Sequence, residues 1–266
     1  MADITVRKIR FTFDEPIDFE AMSGEDLGRA LPLLGLSMTM PFLEPYLIRT
    51  MKVALKQIDN ETLAEDARRF SQQEGHHYRN HMLFNEQIRG QFETETAERL
   101  QQIEADLEAD YQRFTKERSL RFNLGYAEGF EAMTCAVALA SAEHRSFSDA
   151  AMVPGGEIWA WHMAEEIEHR TVAFDVYESL VGSYPYRIFR GTWAQWHYVS
   201  YIMRFARCMA EGLGAEMKRG RSPESRTLLR NYLRTWSPFY DPAKIPMPPG
   251  VAELLSHFSE VAGRAA

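Results

Sequence analysis

Two stretches of the sequence place carboxylates and imidazoles where one helix would bring them together. In FSQQEGHHYRNH, Glu74, His77 and His81 fall at i, i+3 and i+7, and in WHMAEEIEHRTVAFDVY, His162, Glu166 and His169 fall at i, i+4 and i+7. With about 100° of rotation per residue, each set occupies an arc of ~60°, one face of one helix. A Glu and a His three residues apart lean the same way and meet one turn apart, so together they can bind one cation. Two such pairs suggest two cations.

A two-metal site in a four-helix bundle draws a further carboxylate from each of two other helices. The segment MTMPFLEPYLI carries Glu44, the only acid between Asp26 and Asp59, and YAEGFEAMT carries Glu128 and Glu131, the only acids between Glu117 and Glu143. A carboxylate buried in such apolar surroundings is costly unless something compensates it. Glu131 is preferred, because Leu124, Ala127, Cys135 and Ala138 give it a small-residue apolar face; Glu128 is the alternative. Four carboxylates bring a formal charge that two divalent cations cancel. Pro45 places Glu44 near a helix start or a kink. The candidate catalytic and metal-binding residues are therefore Glu44, Glu74, His77, Glu131, Glu166 and His169, with Glu128 and the extra histidine on each face, His81 and His162, as further candidates.

The ordinary reading of each residue weighs against this. A lone Glu-x-x-His is more often a surface pair; the second copy and the isolated acids lift the metal reading above it. Glu165 and Glu168 lie off the ligand arc, as solvated groups or as partners behind the ligands. His76 points away, and His144, His197 and His257 have no motif context.

The elements that must position these residues read as helices. Residues 1–35 are expected to form an irregular arm, with an extended piece at Ile4 to Phe13 and breaks at Gly24, Gly28, Pro32 and Gly35. Helices are expected over about 41–58 and 61–89, with Asp59-Asn60 as turn and cap and Gly90 as stop. One long or kinked helix follows from Glu93, charged early and rich in small apolar residues late. A further helix covers 157–181, another about 189–217, and a shorter one 223–235; the proline-rich stretch from Ser237 to Gly250 is expected to be irregular. The fold class is all-α: a ferritin-like bundle with an arm over 1–35, a four-helix two-metal core over 36–184, and additional helices and tail over 185–266 packed on the same domain.

The length of 266 residues suits one large domain, and a formal charge of −8 shows no basic excess of the kind nucleic acid or an anionic membrane selects. No nucleic-acid partner and no membrane contact are expected, and no apolar stretch is expected to reach the length of a bilayer span. Cys135 and Cys208 lack Cys-x-x-Cys spacing, which fits a reducing cytoplasm.

The segments QEGHHYRNH, GFEAMT and IWAWHMAEEIEHRTVAFDVY resemble the bacterial family of predicted metal-dependent hydrolases over most of residues 1–240. The pattern at His162, Glu166 and His169 also resembles a di-iron N-oxygenase acting on p-aminobenzoate, which implies that His162 is a seventh ligand. A donor set of carboxylates and imidazoles without thiolate suits two iron ions, with manganese, mixed manganese and iron, or zinc as alternatives. The expected activity is a non-haem di-iron oxygenase or oxidase acting with dioxygen on a small hydrophobic or aromatic substrate. A two-metal hydrolase is the alternative, and a non-catalytic ferritin-like iron-binding protein the third reading. No Rossmann or Walker motif is present, so any reductant must come from an external electron donor. The aromatic and arginine-rich stretch from Tyr184 to Leu213 is expected to cover the bundle or to form a homodimer interface, with a substrate channel or a membrane-surface helix as the alternatives.

Overall fold

The computed structural model describes residues 4–23, 27–145, 151–217 and 223–264. Among these, helices run at α1 (Leu27–Ala54), α2 (Glu61–Gly90), α3 (Thr94–Glu117), α4 (Leu120–His144), α5 (Glu157–His169), α6 (Val172–Leu180), α7 (Tyr184–Gly212), α8 (Pro223–Thr235) and α9 (Val251–Arg264), and no strand is present among the described residues. The all-α bundle is as expected, and its boundaries follow the local signals in part. Asn60 caps α2 by accepting the Leu63 N–H. Gly182, at φ 60°, follows the end of α6.

Several boundaries differ from the expectation: α1 ends at Ala54 and not near 58, and α7 spans Tyr184–Gly212 where about 189–217 was expected. Helix α1 begins at Leu27, well inside the segment read as an arm, and carries Pro32, Pro41 and Pro45 within it. Each proline deletes one helical hydrogen bond, but Leu31, Leu34, Met38, Leu43, Leu47 and Met51 are all fully buried, and that packing outweighs the local penalty. Glu44 thus lies in mid-helix. The break expected at Gly24 lies outside the described residues. The single helix expected from Glu93 is two, because Arg118 is extended and Ser119 caps α4 through the Phe122 N–H. The helix expected over 157–181 is likewise divided at Arg170 and Thr171.

The stretch Ala30–Ala54 of α1 is long and apolar enough to cross a membrane, against the sequence reading, but 67% of its most apolar window is buried in the bundle. It serves as the central core helix. Helix α7 crosses α4 at two facing glycines, where a Cβ on Gly129 would lie 2.2 Å from the Gly191 Cα. It also lies against α1, where a Cβ on Gly35 would lie 2.5 Å from the Ile202 carbonyl oxygen. The stretch 236–250 is irregular apart from one short turn of 3-10 helix, as expected, and the sequence reading assigned no element to α9, which buries Val251, Leu255 and Phe258. The N-terminal arm runs over α2 and α5, with Phe11 against Trp161 and Phe13 against Phe84.

Candidate metal centre

Four helices send donors into one interior volume. Glu44 comes from α1, Glu74 and His77 from α2, Glu131 from α4, and His162, Glu166 and His169 from α5; all seven are at most 3% exposed. Their ligand atoms form three triads, each within 4.8 Å: Glu44, His77 and His162; Glu74, His77 and Glu166; and Glu74, Glu131 and His169. Glu74 and His77 are shared between triads, so the donors surround adjacent positions. Residues far apart in sequence meet here because the Glu-x-x-His faces of α2 and α5 both turn inward.

Each outer imidazole nitrogen is spoken for. His77 Nε2 donates to Glu165 Oε2 at 2.9 Å, and Arg7 holds Glu165 from the arm at 3.1 Å. Gln73 donates through Nε2 to the Thr5 carbonyl and to Glu168, both acceptors, so its Oε1 must face His169 and accept from Nδ1–H at 2.9 Å. This leaves His77 Nδ1 and His169 Nε2 pointing inward, without a hydrogen-bond partner. Both oxygens of Glu44 and of Glu74, with Glu131 Oε1 and Glu166 Oε2, are also buried and unpartnered.

The inward contacts of His77 and His169 are too long for hydrogen bonds, whereas His162 Nε2 lies 2.9 Å from Glu166 Oε1. His169 Nε2 lies 3.5 Å from Glu74, 3.6 Å from Glu131 and 3.6 Å from Glu166, and His77 Nδ1 lies 3.6 Å from Glu74. Two donors each about 2.1 Å from one cation would stand at such a separation. The donor set therefore fits metal ions: acceptors converge, buried and unsatisfied, with no basic side chain among them.

The electrostatics agree. Glu44 is held well above the usual carboxylate range by burial and then by Glu74, Glu166 and Glu131. Burial, then Glu166, pushes Glu131 up to about 8. Burial would lower His77, but the hydrogen bond to Glu165 and the nearby Glu74 carboxylate raise it to about 9. Burial would also lower His169, yet Glu166 and Glu131 lift it well above its ordinary value. Without cations, the cluster must hold protons in their place.

Glu131, and not Glu128, is the α4 acid in this cluster. Glu128 is engaged by the buried Arg187 at 3.0 Å, which also binds the Thr235 and Ser237 carbonyls. His81 is not in the carboxylate cluster: its Nε2 meets His162 Nδ1 at 2.7 Å. Glu165 and Glu168 are buried partners behind the ligands, which removes the solvated reading. Arg7 and Gln73 went unread in the sequence. Gln73, directly before Glu74, could have been suspected as a neighbour of the ligand face, but Arg7 carries no local signal.

A family model described as predicted metal-dependent hydrolase matches residues 5–245. No curated protein and no solved structure matches the chain.

Proposed function

The chain belongs to the predicted metal-dependent hydrolase family, and from that premise and the buried donors we propose that it is a two-metal hydrolase. The ligands would be Glu44, Glu74, His77, Glu131, His162, Glu166 and His169. The observation that carries the metal reading is the convergence of unpartnered, buried carboxylate oxygens on the inward nitrogens of His77 and His169. When bound, two divalent ions would supply an acidified water and polarise the bond to be cleaved. The chain's own residues supply the rest. Glu165 and Gln73 fix the ring orientations of His77 and His169, and Arg7 holds Glu165 and Glu168 in place. Glu168 lines an open cleft with Arg7, Arg170 and Asp175, so the hydrogen-bonded groups behind the proposed ligands border that cleft.

The expected oxygenase activity becomes the second reading, since the family comparison favours hydrolysis. One observation keeps it: four carboxylates and three imidazoles without thiolate, sealed among apolar side chains, suit a pair of irons that meets dioxygen. A small substrate belongs to both readings; an external electron donor belongs only to the second. Elemental analysis of the purified protein should give about two metals per chain. Anaerobic turnover of ester, amide and phosphoester probes by the zinc- or manganese-loaded form supports hydrolysis. Oxygen consumption by the ferrous form, with none of that turnover, would replace it by the oxygenase.

A further inference from the structure

Metal binding by His162 through Nε2 requires its proton to sit on Nδ1, and the structure contains a device that puts it there. Pro41 lies inside α1 and has no N–H, so the Ser37 carbonyl, four residues earlier, lacks its helical donor. Asn85 on α2 takes that place, donating from Nδ2 to the Ser37 carbonyl at 3.0 Å. A carbonyl only accepts, so the Asn85 amide cannot be reversed, and its Oδ1 faces the Ser37 hydroxyl. The hydroxyl hydrogen is committed to Oδ1, and Ser37 Oγ must then accept from His81 Nδ1–H at 2.8 Å. His81 Nε2, left without a hydrogen, accepts from His162 Nδ1–H at 2.7 Å. The remaining nitrogen, His162 Nε2, lies at hydrogen-bonding distance, 2.9 Å, from Glu166 Oε1 and 3.6 Å from Glu44 Oε1. Without a hydrogen of its own it faces a carboxylate oxygen there, a contact that a shared proton or a shared cation must bridge.

We infer that Pro41, Ser37, Asn85 and His81 form a one-way hydrogen-bond chain that selects the Nδ1–H tautomer of His162 and so reserves Nε2 for a metal ion. His81 is a positioning residue in this arrangement and not a ligand. The chain ends on a backbone carbonyl and an amide, neither of which takes up a proton, so it orients and does not conduct. Ser37, His81, Asn85 and His162 are each at most 1% exposed, which leaves water no access to substitute for a missing link. In its consequence for metal binding the inference rests on the metal-centre reading above; the tautomers themselves do not.

The test is nitrogen-15 NMR of imidazole-labelled full-length protein, metal-free and zinc-loaded, with the tautomers assigned from two-bond nitrogen–proton couplings. His81 and His162 should both be Nδ1–H. In Ser37→Ala, which keeps a good helix former in α1, the tautomer preference of both rings should be lost. His81→Leu should weaken one zinc equivalent by ~10–100-fold, and His81→Gln, whose Oε1 can still accept from His162 Nδ1–H, should restore it. Circular dichroism confirms that each variant is folded. A wild-type His162 protonated on Nε2, or a folded Ser37→Ala with both tautomers unchanged, overturns the inference. A wild-type chain that takes up no zinc overturns the metal centre instead, and the tautomers still decide this question.

Discussion

Two buried polar clusters share helices α1 and α4, and they are built on opposite principles. Around Tyr126 the groups satisfy one another: Tyr46 donates to Asn123 at 2.8 Å, the Tyr111 and Tyr126 hydroxyls meet at 3.0 Å, and Tyr126 reaches His197 Nδ1 at 2.9 Å. His197 and Tyr201 both end on Asp110 at the edge of the bundle. Around Glu131, about one and a half turns further along α4, most imidazole–carboxylate contacts stand just beyond hydrogen-bonding distance, and carboxylate oxygens are left buried and unpartnered. The first cluster is complete as protein. The second needs something the chain does not encode, and burial makes that need expensive to leave unmet.

The largest effects should come from breaking this contrast at the unsatisfied cluster. Glu166→Ala and His169→Ala should each lose metal, which elemental analysis reads as a fall from about two ions per chain. Tyr126→Phe should keep both ions and cost only about 1–2 kcal/mol in chemical denaturation, the value of hydroxyl hydrogen bonds left unmade. Equal metal loss in Tyr126→Phe would erase the distinction.

Gly129 lies between the two clusters on α4, and its Cβ-free contact with Gly191 sets how closely α7 approaches. Gly129→Ala must push the helices apart, with an expected cost of about 3 kcal/mol. Loss of metal and of the native tyrosine fluorescence should follow together, because one helix carries both sets.

Acidity separates the clusters more gently. In the metal-free protein Glu131 is raised to about 8. Folding therefore becomes less favourable as pH climbs from the unfolded carboxylate range toward 8. His77 is raised from 6.5 to about 9, so its contribution is full below 6.5 and is lost as pH rises through 9. Both signs agree: the metal-free Tm should fall between pH 6.5 and 8, and metal uptake near pH 7 should release protons, measured calorimetrically in buffers of different ionisation enthalpy. Tyr126 is raised well above its ordinary value by burial and does not titrate in this window, and His197, lowered by burial, contributes with the opposite sign, so that cluster should add no falling slope. The smallest effect belongs to Glu128→Gln, which should leave the metal count untouched because that carboxylate serves Arg187.

The inward donor faces were legible in the sequence because helical spacing is short-range: Glu74 with His77, and Glu166 with His169, declare themselves within one turn. Glu44 and Glu131 were legible for a different reason, as isolated acids in segments too apolar to be exposed. What escaped depended on contacts across the fold. Arg7 reaches Glu165 from 158 residues away, and no local pattern announces it. The start of α1 escaped because Pro32, Pro41 and Pro45 argue locally against a helix that tertiary burial holds together. Pro45 was weighed as a hazard to Glu44, whereas Pro41 carries the larger consequence, a free carbonyl that Asn85 uses.

Arg7 also binds the Leu255 carbonyl and the Ser259 hydroxyl on α9. On the ribosome, a nascent chain that has emerged only as far as His169 already owns every proposed ligand together with Glu165 and Glu168, the carboxylates that Arg7 holds. The bracing of the same guanidinium by Leu255 and Ser259 is added only once α9 has been translated, as the last part of that network to be synthesised.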